Sequence, residues 1–115
     1  MKKVLFIILF VIGFNSISFT QNMSSEELCE YIVDNYRPTE AVNCSNSSVL
    51  VKVHYYNIDN TGYVIAYIKK NNYDMYGKPY VYCGVPRNAW QYFKVDGQSS
   101  WGSAFNKYIT KYVCR

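Results

Sequence analysis

"SVLVKVHYYNIDNTGYVIAYIKK", residues 48–70, carries the pattern on which the fold turns. Val49, Val51, Val53 and Tyr55 alternate with Leu50, Lys52, His54 and Tyr56, the period of two that lets a strand present different side chains to its two faces. Asp59-Asn60-Thr61-Gly62 then supplies residues tolerant of tight-turn backbone, and residues 63–70 return to aromatic and β-branched side chains. The reading is a β-hairpin.

Downstream, "NNYDMYGK" forms a loop into a third strand over residues 79–85. Pro86 suits a helix start, where its missing amide hydrogen costs nothing, and Trp90 and Phe93 lie three apart on one helical side. After Asp96-Gly97, Ser99 or Ser100 caps a last helix whose apolar stripe is Trp101, Phe105, Tyr108 and Tyr112, with Ile109 alongside. Upstream, Ser24 and Glu27 have capping-box spacing, and Leu28, Ile32 and Tyr36, with Tyr31, recur at helical intervals until Pro38. "TEAVNCSNSS" reads as a polar connector. The order predicts a small α+β fold: an N-terminal helix, a three-stranded antiparallel sheet, then two short helices packed on it.

A chain of 115 residues with 50% hydrophobic and 17% charged side chains has room for one globular domain. Its start, "MKKVLFIILFVIGFNSISFTQ", sets Lys2 and Lys3 before an apolar run from Val4 to Phe14 and a polar tail with the small residues Ser18 and Thr20. That is the grammar of a secretory signal peptide, and the run falls short of the roughly 20 residues that cross a bilayer. The expected organisation is a signal peptide over 1–20, an acidic helical extension and linker over 21–47, and the main domain over 48–115. The product is expected to be secreted or periplasmic, with no permanent membrane span.

A domain this small often needs covalent support. Cys29, Cys44, Cys83 and Cys114 all follow the leader, and an even count in an oxidising compartment reads as two disulfides. Three connectivities are open; the expected one joins Cys29 to Cys44 within the N-terminal unit and Cys83 to Cys114 between a strand and the last helix. With no C-x-x-C and a single His, neither a metal nor another cofactor is expected.

The stretch "YVYCGVPRNAWQYFKVDGQSSWGSAFNKYITKY", residues 80–112, resembles the KTSC domain, a module named for the C-terminus of some lysyl-tRNA synthetases. The resemblance rests on Tyr80, Tyr82, Val85, Pro86, Trp90, Phe93, Ser100, Gly102, Phe105, Asn106, Ile109 and Tyr112 in order and spacing, and with the hairpin it covers residues 48–112. It implies a fold more than an activity. Tyr80 and Tyr82 are expected to pack on one strand face, Ser100 to cap the last helix, and Gly102 to permit close backbone approach. Asn106 is expected either to bond a strand or loop carbonyl or to face a ligand.

Charge divides the chain. Residues 21–48 hold five acids against Arg37, a net of −4, while residues 49–115 hold nine Lys or Arg against three Asp, a net of +6. Lys107, Lys111 and Arg115, four apart, are expected to form a basic stripe on the last helix, and Lys69, Lys70 and Lys78 a second cluster. Such surfaces suit an unknown protein, an anionic glycan or a phosphate-bearing partner. A net of +2 after the leader disfavours a strong nucleic-acid binder.

Catalysis has few candidates: His54, with Asp59 or Asp74, is the one acid–base set, and no nucleophile elbow or phosphate loop is present. The expected function is an exported, disulfide-stabilised, non-catalytic KTSC-like binding module. The alternatives are a small secreted hydrolase, nuclease or antagonist using His54, and an immunity or inhibitor protein.

Overall fold

The computed structural model describes residues 23–114; the expected signal peptide and Arg115 lie outside the described residues. Helix α1 (Ser25–Asn35) begins at a capping box, the Glu27 amide donating to Ser24 Oγ at 3.1 Å and the Ser24 amide to Glu27 Oε1 at 2.9 Å. Strands β1 (Glu40–Asn43), β2 (Leu50–Ile58), β3 (Thr61–Ile68) and β4 (Lys78–Cys83) follow, then helices α2 (Arg87–Asp96) and α3 (Trp101–Tyr108). The strands form one antiparallel sheet in the order β1-β2-β3-β4.

The class is α+β, but the sheet has four strands instead of the expected three. The extra strand, β1, lies in the stretch read as a connector. Its inward positions are Glu40 and Val42, so one of its two core-facing residues is charged and the alternation is hidden. Glu40 is tolerated there because its carboxylate accepts from Arg87 at 2.8 Å, from the Trp90 indole at 2.9 Å and from Lys94. These bonds hold the carboxyl below its ordinary pKa, Lys94 contributing most and Trp90 next.

The β2–β3 turn places Asp59 and Asn60 at φ 53° and 65°, the left-handed pair that a two-residue hairpin needs to match strand twist. Alternation then sends side chains to two separate cores. Val53, Tyr55, Val64 and Ala66 meet Trp90 and Phe93 of α2 and Phe105 of α3, while Tyr56, Ile58, Tyr63 and Ile65 meet Leu28 and Ile32 of α1. Tyr55 stacks on Trp90 with ring centroids 5.2 Å apart. A register irregularity between Leu50 and Lys52 lets Leu50 join the first core despite its even number.

Cys83 and Cys114 are bonded. The expected Cys29–Cys44 bond is absent: both are free buried thiols, Cys44 in the core under α2 and α3, Cys29 in the core under α1. The sheet stands between them. Local proximity in sequence gave no hint that the two residues reach opposite faces.

The last helix also stops earlier than its apolar stripe suggests, at Tyr108. The Thr110 amide reaches back to the Phe105 carbonyl, the Cys83 amide donates to the Tyr112 carbonyl at 2.8 Å, and Val113 bridges to Tyr82. The disulfide thus ties β4 to an extended tail beyond the helix. No helix among the described residues is long and apolar enough to cross a membrane.

A candidate site in a polar groove at the helical corner

The segment between β1 and β2 runs beside the corner where α2 turns into α3, and the two enclose a groove of about 540 Å³. Its near wall is anchored from within: Ser47 Oγ accepts from the amides of Val49 and Leu50, and Lys69 Nζ donates to the carbonyls of Ser45 and Ser47. On the far wall Ser100 caps α3, its hydroxyl accepting from the Ser103 amide at 3.3 Å and lying 3.1 Å from Ser103 Oγ. Asn46, Ser48, Gln98, Ser99 and Asn106 complete the polar lining, and no ionisable side chain contributes to it.

Trp101 forms the aromatic side of the groove. Its ring packs over Gly97, where an added Cβ would fall 2.0 Å from ring carbon, and it also meets Phe93 at 5.3 Å between centroids. Gly97 is therefore the glycine that close approach demands at this corner. Gly102, expected in that role, has only Val49 near it: an added Cβ would sit 3.5 Å away, an ordinary contact. Its missing side chain leaves the groove open instead.

The groove thus brings together Ser100, Gly102 and Asn106 of the resemblance motif. Tyr82 packs edge-on against Phe105, while Tyr80 is more exposed, with Lys78 5.4 Å over its ring. Val85, Trp90, Phe105 and Ile109 are core. Pro86 stands at the N-cap of α2. Asn46, Ser47 and Ser48 were not singled out by sequence reading; they belong to a polar run that takes on meaning only when the chain folds it against α3.

Of the expected basic stripe, Lys107 lies on α3 and Lys111 follows its end. Lys107 and Lys111 are exposed, each ammonium sits over its neighbouring tyrosine at 5.3 and 5.6 Å, and neither lines the groove. Arg115 is outside the described residues. Four-residue spacing aligns side chains only while the backbone stays helical.

His54 faces away from this corner. It lies beside Tyr56 and Tyr67, its Nδ1 buried and without a hydrogen-bond partner among the described residues, and burial followed by the Lys52 charge lowers its pKa. Asp59 is five residues along the chain, a strand distance of about 16 Å. Asp74 is occupied by the amides of Lys70, Tyr76 and Gly77. No group of three or more His, Cys, Asp or Glu among the described residues is placed to hold a metal.

No family model, curated protein or solved structure matches the chain.

Proposed function

We propose that this chain is an exported, KTSC-like binding module without catalytic chemistry of its own, and that the groove at the α2–α3 corner receives a glycan segment. The observation that carries the reading is the groove's lining: serine hydroxyls and the Gln98 and Asn106 amides converge beside a partly exposed indole, with no charged group among them. Hydroxyls and amides match the alternating donors and acceptors of a sugar, and an aromatic face matches its C–H surface. No cationic side chain lines the groove to pair with a phosphate.

The test is titration calorimetry of the secreted protein against soluble peptidoglycan fragments and chito-oligosaccharides. Asn106→Ala and Gly102→Leu should each abolish heat of binding without lowering the unfolding midpoint. His54→Ala should leave it intact, with no sugar hydrolysed by either protein. Binding that survives both groove substitutions, or hydrolysis lost with His54, would overturn the reading.

A further inference from the structure

The loop between β3 and β4 shows its largest apolar side chains to solvent. Tyr73, Met75 and Tyr76 are 92%, 76% and 81% exposed, the highest values of any large hydrophobic side chains among the described residues. Such a loop usually collapses onto its own protein.

Here the backbone is fixed in the outward arrangement. Asn71 Oδ1 accepts from the Tyr73 amide at 2.9 Å, and the Asp74 amide donates to the Asn71 carbonyl at 3.2 Å. The Asp74 carboxylate accepts from the amides of Tyr76, Gly77 and Lys70 at 3.1, 3.0 and 3.2 Å. Gly77, at φ 74°, passes so close to Tyr67 that an added Cβ would lie 2.8 Å from its carbonyl carbon. The loop is a preorganised display of two phenols and a thioether.

Directly behind the tip is a hollow of about 510 Å³ whose lining includes Lys69, Lys70, Lys78, Asp74 and Tyr80. Lys69 is committed to the Ser45 and Ser47 carbonyls, and Asp74 stays an anion beside Lys70 while it accepts from backbone amides, so three lysines against one aspartate leave the hollow net positive, with Lys70 and Lys78 as its exposed cations. An apolar tip backed by two cations has the order of a bilayer surface: acyl boundary first, phosphate next. A protein partner would need a surface shaped to a convex knob; a lipid leaflet needs no such shape.

We propose that the Lys70–Lys78 loop docks this protein on anionic bilayers, with Tyr73, Met75 and Tyr76 entering the interface and Lys70 and Lys78 meeting lipid phosphate. This surface is separate from the groove and does not depend on what the groove binds.

Co-sedimentation of the secreted protein with vesicles of phosphatidylcholine alone, and of phosphatidylcholine mixed with phosphatidylglycerol, is the test. The mixed vesicles should retain the protein and the neutral ones should not. Lys70→Gln with Lys78→Gln should weaken retention about 30-fold, at the usual contribution of a lysine near an anionic surface. Tyr73→Ser, Met75→Ser and Tyr76→Ser together should abolish it, with unchanged unfolding curves, because these side chains are exposed in the fold. Equal retention on both vesicles, retention by the triple variant, or binding of inorganic phosphate with none of vesicles would each overturn the proposal. So would a soluble protein that captures the loop while mixed vesicles do not.

Discussion

Gly62 and Gly102 show how two identical residues carry opposite consequences. A Cβ on Gly62 would lie 2.0 Å from the Val85 carbonyl oxygen and 2.6 Å from the Tyr55 hydroxyl, at the point where the Val85 amide bonds to the Gly62 carbonyl. Gly62→Ala should therefore destabilise by about 3 kcal/mol in urea unfolding. Gly102→Ala meets no clash and removes a flexible residue from a helix, so it should stabilise by about 0.5–1 kcal/mol. A loss of stability at Gly102 would mean that the groove floor is packed more tightly than the Val49 contact implies. Glu40 carries a pH signature. Its carboxyl is held low by Lys94 and then Trp90, so its contribution is full above the ordinary glutamate pKa of about 4.3 and is lost as pH falls through the lower folded value. Between neutral pH and pH 3, the urea midpoint of the native protein should fall more than that of Glu40→Gln; parallel profiles would remove Glu40 from the acid response. The free thiols should be silent in the fold, since burial pushes Cys29 up to about 11 and Cys44 up to about 12. A thiol reagent at neutral pH should find none in the native protein and two in urea.

Among the elements, those with a local signal were legible. The capping box at Ser24 and Glu27, the alternation through β2, the Asp59-Asn60 turn and the Ser100 cap are all written in neighbouring residues, and the structure contains each of them. β1 was hidden because a strand whose inward residue is a glutamate looks like a connector until Arg87, Trp90 and Lys94 arrive from 47 or more residues away. The end of α3 was misread for a similar reason, because pairing of the tail with β4 overrides a helical stripe that runs on to Tyr112. The groove was half legible: Ser100, Gly102 and Asn106 stood out through resemblance, whereas Asn46, Ser47 and Ser48 did not. The Cys83–Cys114 bond is an element-scale constraint, closing 31 residues around α2 and α3. Opening that loop in Cys83→Ser with Cys114→Ser should lower stability by about 3–4 kcal/mol on the chain-entropy account. A change under about 1 kcal/mol would show that the tail holds its place through hydrogen bonds alone.

At the scale of the molecule, one sheet serves two cores of different character. The face under α2 and α3 gathers the stacked aromatics and the Glu40 network, and the face under α1 gathers tyrosines and a lone unpartnered histidine nitrogen. The charge asymmetry seen along the sequence is realised at one contact, where Glu40 from the acidic segment meets Arg87 and Lys94 from the basic one. The tail that carries Cys114 has a further effect. By covering the outer amide of Cys83 and bridging Tyr82, it shields part of the last strand's free border, a border that could otherwise recruit a strand from a neighbouring molecule. A chain kept reduced would lose that shield together with its crosslink. Strand-to-strand association along β4 is then a hazard beside the lost folding stability.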